Sequence, residues 1–575
     1  MNLGPRAALS PLTVLLAGGL LAACRAPAPP VDPDAEVPFY AAASRPDVRG
    51  TRGAVSADHP LAAQVGLRVL QEGGNAVDAA VAMAAVLAVV RPHMNGVGGD
   101  AFVLVYEAAT GEVHALNGSG RAGALATPAF FRDQGLDEIP SAGPLSVSVP
   151  GAVAAWVDVH ERFGSRPFAR LLEPAIGYAR DGFPVSKRLA SDFESQGRSL
   201  NDAGKALYLP RDGKAPEVGS LLRNPALAAT LEGIARRGKV GLYQGPVAEK
   251  LAAFLEAQGS HLRASDLAAH TSTWVEPLRG AYLDHDILVF PPNTQGLAQL
   301  ELFGMARSFP LAEMGHNSAR YLHTLIEVTR LAFADRDRWI GDPEHADVPV
   351  ERLLDPEYLA ARAALVDPAR AAADVAPGLG DEAGAPGDRD DGGDTVYLTA
   401  VDPWGNAVSW IQSLFAGFGS GLYEPETGVL LHNRGSLYTL EDGHPNQVAP
   451  GKRPFHTLSP LMALRGGELA FTLGTPGGDS QPQSLLQIVN NLLLFGMTPQ
   501  EAIEAPRYRA EGRTSIEHRV RASVRAELAA MGHELRVVEG WTATFGGAQM
   551  IYVEPGFRTL TVASDPRREA YSLAW

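Results

Sequence analysis

One threonine in this 575-residue chain stands where it could act as a nucleophile. Thr395 follows a Gly- and Asp-rich stretch, residues 377–394, and begins the strand-like sequence TVYLTAV. If the Asp394–Thr395 bond is cut, Thr395 gains an α-amine with an ordinary pKa of about 7.7–8.0, which can accept the hydroxyl proton near neutral pH. A threonine that simply begins a strand is the alternative, because β-branched residues favour strands. The predicted chemistry therefore depends on cleavage at this bond.

A glycine-rich stretch could supply the hydrogen-bond donors that acyl transfer needs. Residues 474–479, Gly-Thr-Pro-Gly-Gly-Asp, lie between a predicted strand and a predicted helix. Gly477 and Gly478 allow close backbone approach to a developing oxyanion, where each donor contributes about 2.7–4 kcal/mol. An ordinary Gly-rich turn is the alternative interpretation. The stretch points to catalysis only in combination with Thr395.

Hydrophobic patterning predicts the elements that position these residues. Residues 76–90, preceded by the capping residue Asn75, are apolar on all sides and predict a helix buried in a large core. Strands and helices alternate without a regular βαβ period, which favours sheets layered with helices. The region from 151 to 370 is predicted to be mainly helical. Strands are predicted at 101–107, 112–116, 395–401, 407–413, 428–431, 459–464, 469–474, 550–554 and 559–562, and a helix at 483–494.

Composition and motif searches exclude several classes of function. The formal net charge of −16 argues against sequence-independent nucleic-acid binding, which requires a cationic surface. Residues 96–101 match a dinucleotide fingerprint by letter, but a buried helix precedes them and a strand follows, the reverse of the required context. His93, His432 and His456 lie far apart in loop-like sequence, where hydrogen-bonded structural roles are commoner than metal ligation. We predict no metal, no other cofactor and no nucleic-acid partner.

The single cysteine, Cys24, lies at the end of an amino-terminal apolar segment. Residues 12–23 are too few to span a bilayer but suit a signal peptide, and Leu-Ala-Ala-Cys resembles a bacterial lipobox. An ordinary secretory signal with an incidental cysteine is the alternative. We predict a signal peptide at 1–23, lipid attachment at Cys24 and a Pro-rich tether at 24–45. The protein is then exported to the periplasmic side of a bacterial membrane, and Arg25 fits the outer membrane of a didermic source.

Taken together, the motifs resemble the γ-glutamyltransferase (glutathione hydrolase) family of the N-terminal nucleophile hydrolase superfamily. The resemblance extends from Ala54 to Arg568, and its specificity comes from the order of individually weak motifs. The motifs are residues 73–80 (GGNAVDAA), 91–93 (RPH), 96–99 (GVGG), Asp394-Thr395, 405–409 (GNAVS), 419–421 (GSG), 475–478 (TPGG) and 565–568 (DPRR).

The resemblance implies a four-layer αββα sandwich and a precursor that cuts itself before Thr395. The products are a large subunit, residues 46–394, and a small subunit, residues 395–575, which form one heterodimeric domain. Thr395 then serves both self-cleavage and catalysis, and Gly477 with Gly478 matches the oxyanion-hole pair of the family. Ser413 falls where the family keeps a threonine near the nucleophile, and Thr399 is a weaker candidate for local polar support.

Several substrate-binding positions depart from the family pattern. Arg121 is the candidate for the arginine that clamps the substrate carboxylate, although it is displaced by two positions. His456 and Thr457 replace a Ser-Ser pair that helps to hold that carboxylate. Phe415, Arg434 and Leu437 stand where the family holds the substrate ammonium with Asn, Gln and Asp, and an arginine there disfavours a cation.

This variant set resembles the acylase-like branch of the family. We therefore predict a self-processing amidohydrolase or acyltransferase that cleaves γ-glutamyl or related glutaryl and acyl amides through a threonine acyl-enzyme. Its partners would be a small amide substrate and water or an amine acceptor. The alternatives are a glutaryl or cephalosporin acylase without transpeptidase activity, and a catalytically silent, lipid-anchored binding protein.

Overall fold

Two antiparallel sheets organise the residues that the computed structural model describes, which are 44–380, 393–557 and 559–575. Cys24, the predicted signal peptide and all of the predicted tether except its last two residues lie outside the described residues. The strands are β1 Val48–Gly50, β2 Ala54–Ala57, β3 Asp100–Glu107, β4 Glu112–Gly118, β5 Phe183–Pro184, β6 Leu221–Leu222, β7 Thr273–Val275, β8 Leu278–Tyr282, β9 His285–Val289, β10 Asp394–Val401, β11 Ala407–Phe415, β12 Tyr423–Glu424, β13 Val429–Leu430, β14 Leu461–Arg465, β15 Glu468–Gly474, β16 Tyr508–Arg509, β17 Thr514–Glu517, β18 Leu535–Val538, β19 Gln549–Val553, β20 Leu560–Ser564 and β21 Tyr571–Ala574.

Helices cover the outer faces of both sheets. They are α1 Pro60–Gln71, α2 Ala76–Val90, α3 Pro128–Arg132, α4 Ala152–Phe163, α5 Phe168–Asp181, α6 Lys187–Gln196, α7 Asp202–Tyr208, α8 Pro225–Arg237, α9 Val240–Tyr243, α10 Pro246–Glu256, α11 Ala264–Ala268, α12 Gly296–Ala306, α13 Leu311–Met314, α14 Ala319–Trp339, α15 Val350–Leu353, α16 Pro356–Ala363, α17 Gln481–Leu493, α18 Pro499–Glu504 and α19 Ala522–Ala530. In the described part of the chain, no helix combines the length and hydrophobicity required to cross a bilayer.

The sheets and helices form four layers. The first sheet has the strand order β21-β2-β10-β11-β3-β4-β7. Its outer face packs on α1, α2 and α4, and α5 packs on α2. The second has the order β1-β20-β19-β15-β14-β9-β8. It packs on α12, α17 and α18, and α14 packs on α12. A third apolar cluster fills the space between the two sheets. The predicted αββα fold is thus confirmed, and both predicted subunits contribute strands to both sheets.

Strand β10 shows how the alternation of side chains divides these layers. Val396, Leu398 and Ala400 join the core under the helices, whereas Tyr397 and Val401 join the cluster between the sheets. Successive side chains of a strand point to opposite faces, so Thr395 lies on the same face as Tyr397 and looks toward the second sheet. The register of the strand therefore sets the direction of the candidate nucleophile.

Helix α2 anchors the first sheet and has the bounds that its sequence predicted. Every residue of α2 is buried. Asn75 accepts a hydrogen bond from the Asp78 N–H while the Asp78 side chain accepts one from the Asn75 N–H, a capping box that satisfies the helix start. The region predicted as mainly helical differs more, because β7, β8 and β9 interrupt it. β7 is an edge strand of the first sheet, and β8 is an edge strand of the second, next to β9.

Candidate active site

Thr395 lies at the start of β10, beside Ser413 of β11. The two residues are paired in register, and the Thr395 hydroxyl donates to the Ser413 hydroxyl at 3.1 Å. The chain is continuous from Asp394 to Thr395, and Asp394 is the first residue of β10. Thr395 is only 1% exposed in this uncleaved form. The structure therefore shows the candidate nucleophile before any cut.

The Ser413 hydroxyl links the nucleophile to the bond that would be cut. It donates to the carbonyl oxygen of Asp394 at 2.9 Å, the carbonyl that Thr395 would attack. It accepts from the backbone N–H of Phe415 at 2.7 Å and from the Arg434 guanidinium at 3.2 Å. Phe415 has a φ of 78°, a conformation that costs a non-glycine residue about 1–3 kcal/mol. This backbone conformation accompanies the placement of its N–H on Ser413.

Packing between the sheets brings the Gly477-Gly478 stretch toward Thr395. Thr399 Oγ1 lies 2.6 Å from Thr472 Oγ1 on β15, and the Tyr397 ring lies so close to Gly474 that an added Cβ would meet it at 2.2 Å. Thr395 precedes Tyr397 by two residues on the same face of β10, and residues 475–478 follow Gly474, so both extend from this contact toward the same end of the two strands. Thr399 itself bonds across the sheets, and the structure shows no contact between it and Thr395.

Side chains from other elements fix the loop after β15, and the N–H groups of its two glycines stay unbonded in the described residues. Gly477 has a φ of 134°, which glycine tolerates. Within the described residues, neither the Gly477 nor the Gly478 N–H donates to a protein acceptor. The Gly478 carbonyl accepts from Gln295 at 3.0 Å, and Arg336 bonds both Gln295 and Asp479. Free donors on a fixed loop fit the predicted oxyanion hole.

Arg434 is fully buried against the nucleophile pair. Its guanidinium donates to the hydroxyls of Ser413 and Thr457, at 3.2 and 3.0 Å, and lies 4.3 Å from the centre of the Phe415 ring. Burial lowers the pKa of Arg434 to about 9, opposed by the more distant Asp100 and Asp479, so it remains a cation at neutral pH. Among the described residues, none accepts a hydrogen bond from its Nε–H.

His456 belongs to a buried cluster next to Arg434. Its Nε2 lies 3.1 Å from Asp100, whose other oxygen accepts the backbone N–H groups of Gly120 and Gly151. The Nδ1 of His432 lies 3.5 Å from the same carboxylate. Burial and the adjacent Arg434 lower the pKa of His456 to about 3, so the ring is neutral near pH 7 and donates to Asp100.

Phe415 and Leu437 occupy two positions at which the resembled family holds an ammonium. Both are buried in one apolar cluster with Phe455. With Arg434 at the third position, this side of the site offers an arginine and hydrocarbon in place of amide and carboxylate acceptors. A cationic substrate group would lose hydration here without gaining an acceptor.

Arg121 lies apart from this group. Its guanidinium donates to both carboxylate oxygens of Glu344, at 3.0 and 2.8 Å, and it makes no contact with Thr395, Ser413 or Arg434 in the described residues. Glu344 also pairs with Arg453. The assignment of Arg121 to the substrate carboxylate stays a prediction.

Ligand-type side chains also meet away from Thr395. His323, Glu327 and His533 place one ligand atom each within 4.8 Å of one another. These atoms already satisfy each other and their neighbours, since His323 bonds His533 at 2.7 Å and Glu327 bonds Arg330. The cluster is a hydrogen-bonded contact between α14 and the loop after α19.

Three contributors to the site were missed by sequence reasoning. They are Asp100, which supports His456, Gln295, which supports the glycine loop, and Arg568, which donates to the Asp394 side chain at 2.9 Å. Asp100 directly follows the GVGG motif, and Arg568 ends the DPRR motif, so both lay beside known signals. Gln295 had no local signal.

Comparison with known proteins places this geometry in a family. Residues 62–575 match the family model described as gamma-glutamyltranspeptidase. The glutathione hydrolase-like YwrD proenzyme of Bacillus subtilis is 38% identical over 90% of this chain and 98% of its own length. The oxamate amidohydrolase proenzyme of Klebsiella pneumoniae is 38% identical over 90% of this chain and 97% of its own.

A solved structure agrees with this assignment. The cephalosporin acylase from Bacillus halodurans superposes with a TM-score of 0.84 at 35% identity, covering 92% of this chain and 97% of that one. The match thus spans both predicted subunits and both sheets. The chain belongs to the gamma-glutamyltranspeptidase family, whose relatives include glutathione hydrolases and acylases made as proenzymes.

Proposed function

We propose that the protein is a self-processing amidohydrolase in which Thr395 attacks acyl amides that carry a carboxylate but no ammonium. The observation that carries this proposal is the chain of hydroxyl contacts from Thr395 through Ser413 to the Asp394 carbonyl. The family membership supports the reaction class, and the environment of Arg434 supports the substrate class.

Self-cleavage follows from these contacts. Thr395 Oγ1 attacks the carbonyl carbon of Asp394 and passes its proton to Ser413, while Ser413 passes its own proton to the carbonyl oxygen. Collapse of this intermediate breaks the carbon–nitrogen bond, returns a proton to the nitrogen and leaves Asp394 as an ester on Thr395. That step also frees the α-amine of Thr395. Water then hydrolyses the ester, which releases the Asp394 carboxylate and the Thr395 hydroxyl.

Turnover repeats the chemistry on a separate amide. The α-amine of Thr395 takes the hydroxyl proton as Oγ1 attacks the substrate carbonyl, and it then returns that proton to the leaving nitrogen. The N–H groups of Gly477 and Gly478 would hold the oxyanion. Water resolves the acyl-enzyme, or an amine acceptor does so in a transfer reaction.

The test of the nucleophile is a gel with intact-mass analysis. The wild-type chain should yield two products with a new amino terminus at Thr395, and Thr395→Ala should stay whole. Thr399→Ala, which removes a threonine on the same strand face, is the matched control and should still be cut. A wild-type chain that stays whole after prolonged incubation would overturn the proposal and favour a silent binding protein.

The test of the substrate class compares γ-glutamyl and glutaryl anilides, which differ only in the α-ammonium group. Because Phe415, Arg434 and Leu437 offer no acceptor for an ammonium, the glutaryl compound should be preferred. Two relatives, named as an oxamate amidohydrolase and a cephalosporin acylase, support acyl groups that have a carboxylate and no ammonium. Efficient transpeptidation from the γ-glutamyl donor would contradict the assignment.

We also propose that the protein is exported and lipid-anchored through Cys24. The support is the apolar segment at 12–23 followed by the lipobox-like Leu-Ala-Ala-Cys sequence. Labelled palmitate should be incorporated into the wild-type protein and not into Cys24→Ala, which should move to the soluble fraction. Equal labelling of the two proteins would refute the anchor.

A further inference from the structure

The side chain of Asp394, the residue before the predicted cut, is bound by a buried arginine. The Arg568 guanidinium donates to its carboxylate at 2.9 Å, and both side chains are buried. In the described part of the chain, Arg568 has no other carboxylate oxygen within 4.0 Å. The second carboxylate oxygen, Asp394 Oδ2, has no hydrogen-bond partner there either. Among the residues that the structure describes, Arg568 alone therefore binds the side chain that precedes the scissile bond.

The surroundings of Arg568 fix the direction of its side chain. The preceding residue, Arg567, is held by a buried ion pair with Glu517 of β17. The Arg568 side chain then runs across Gly547, so closely that an added Cβ at position 547 would meet its Cγ and Cδ at 2.7 Å. Its other terminal nitrogen donates to the sulfur of Met94 at 3.3 Å. The guanidinium is thus directed to the cleavage site by a fixed loop and by the absence of a side chain at Gly547.

The scissile bond lies where the pairing of β10 with β11 is irregular. Asp394 is paired with Phe415. Thr395 is paired with Ser413, which leaves Leu414 as the extra residue of β11. A β-bulge of this kind bends the chain and interrupts the regular ladder of hydrogen bonds. The ladder therefore fixes Thr395 more firmly than Asp394, and the position of the Asp394 carbonyl depends on contacts outside the ladder.

Different parts of the molecule hold the two sides of the scissile bond. On one side, Thr395 lies in the ladder beside Ser413. On the other side, Arg568 holds the Asp394 carboxylate from the loop between β20 and β21. Because an aspartate side chain is short and has few rotamers, fixing its carboxylate also restricts the carbonyl next to it. A displacement of about 1 Å at a reacting group can lower a rate about a hundredfold, so this restriction matters for attack.

We infer that Arg568 is a positioning residue that selects aspartate before the cut and orients the Asp394 carbonyl for attack by Thr395. This inference rests on the proposed function and adds a determinant of self-cleavage to it. Arg568 forms no covalent bond and transfers no proton in this step. A purely structural ion pair between Arg568 and Asp394 is the alternative that the experiment must separate from positioning.

The decisive experiment compares the rate of self-cleavage with the stability of the uncut chain. Cleavage of the full chain is followed on gels as precursor loss after cell-free synthesis. Stability is measured as the urea midpoint in the Thr395→Ala background. Asp394→Ala and Arg568→Met each leave a buried charge without its partner. Each should therefore slow cleavage about a hundredfold and lower the urea midpoint.

The double variant Asp394→Ala with Arg568→Met separates positioning from stability. It removes both charges of the pair, so its urea midpoint should recover above that of either single variant. The carbonyl has still lost its anchor, so cleavage should stay about a hundredfold slower than in the wild-type chain.

Conservative variants provide a second measure of positioning. Asp394→Glu keeps the carboxylate but moves it one carbon farther from the carbonyl, and it should slow cleavage about tenfold. Arg568→Lys keeps a cation without the planar guanidinium and should keep part of the rate. Glu569→Gln is the matched control, because Glu569 follows Arg568 and pairs with Arg91 at 3.0 Å. In the described part of the chain no hydrogen bond or ion pair joins Glu569 to Asp394, so this variant should be cut at the wild-type rate.

Two results would overturn the inference. Cleavage of Asp394→Ala and Arg568→Met at the wild-type rate would show that neither side chain positions the carbonyl. Recovery of the cleavage rate together with the urea midpoint in the double variant would show that the pair is only structural. If the Arg568 variants do not fold, the series at position 394 decides, and equal rates for aspartate, glutamate and alanine overturn the inference.

These failures differ from a failure of the proposed function. A wild-type chain that cuts itself before Thr395, with Thr395→Ala left whole, keeps the proposed function standing whatever Arg568 does. A wild-type chain that stays whole would overturn the proposed function instead.

Discussion

Fully buried arginines at two places in the small subunit differ in the groups that bind their guanidinium. Near the carboxyl terminus, Asp565 pairs with Arg507 at 2.7 Å and with Arg567 at 3.0 Å, and Arg567 also pairs with Glu517. Beside the nucleophile, the described part of the chain gives Arg434 only hydroxyl acceptors and an aromatic face. All three guanidinium groups have lost their water, but only the first group has replaced it with carboxylates.

The difference separates structural charge from charge kept for a ligand. Satisfied ion pairs join the loop that carries the DPRR motif to Arg507 and to Glu517 of β17. Arg567 also donates to the Ile503 carbonyl in α18, and Arg507 donates to the Phe545 carbonyl. The site instead keeps an unsatisfied cation, which lowers stability and is expected only where activity depends on it. Variants in the two regions should therefore affect different measurements.

The largest effect is expected from Asp565→Ala. The change leaves Arg507 unpaired and removes one of two partners of Arg567, and an uncompensated buried charge costs about 3–5 kcal/mol. Urea unfolding in the uncleaved Thr395→Ala background would measure it on a single chain, with Asp565→Asn as the isosteric comparison. A loss of stability below about 1 kcal/mol would mean that the paired region is not structurally important.

The next effect concerns rate. Ser413→Ala removes the hydroxyl that donates to the Asp394 carbonyl, and losing one oxyanion donor costs about 2.7–4 kcal/mol of transition-state stabilisation. Self-cleavage should slow about 10²–10³-fold, followed as precursor loss on gels. Ser413→Thr keeps the hydroxyl and should cut at a rate close to wild type. Equal rates for the alanine and threonine variants would remove Ser413 from the mechanism.

A smaller change in stability is expected when the same substitution is made in each of the two regions. Arg434→Met in the Thr395→Ala background replaces an unpaired cation with a side chain of similar length and should leave stability unchanged or raise it by about 1–2 kcal/mol. Arg507→Met is the matched control, because the same substitution there removes one of the two arginines that pair with Asp565 and should destabilise. Equal losses in the two variants would show that Arg434 is as structural as Arg507.

Much of the scaffold around these groups could be predicted from sequence. The apolar run and its Asn75 cap predict α2 with the observed bounds, and the predicted strand 395–401 differs from β10 by one residue. The 18-residue separation of Thr395 and Ser413 also reads as a hairpin, whose register puts the hydroxyls together. Local periodicity and turn residues determine such elements, so one sequence is enough.

The contacts that give the site its character could not be predicted in the same way. The hydroxyl partners of Arg434 and the Asp100 partner of His456 come from strands and loops brought together by sheet-on-sheet packing. Sequence spacing does not show which carboxylates face a buried arginine, and the absence of one near Arg434 becomes visible only when every neighbour is placed. The same limit applies to Arg121, whose Glu344 partner is 223 residues away.

The last prediction is a pH dependence to which His456 should contribute and the Asp565 cluster should not. Burial and Arg434 lower the pKa of His456 to about 3, against about 6.5 in the unfolded chain. Between these values the unfolded chain binds a proton that the folded chain does not. Stability therefore falls as pH falls from 6.5, by up to about 1.4 kcal/mol per pH unit for this one histidine.

His456→Gln isolates that contribution, because glutamine keeps an N–H for Asp100 and does not titrate. Other buried histidines act in the same direction, so the expected result is a shallower slope of unfolding free energy between pH 4.5 and 6.5, not a flat one. The Asp565 cluster supplies the control. Its carboxylate is held ionised by Arg567 and Arg507, which lower its pKa against the effect of burial, so Asp565→Asn should leave this slope unchanged. If His456→Gln keeps the wild-type slope, the His456 ring is already charged in the folded protein. The site would then hold two neighbouring cations, His456 and Arg434.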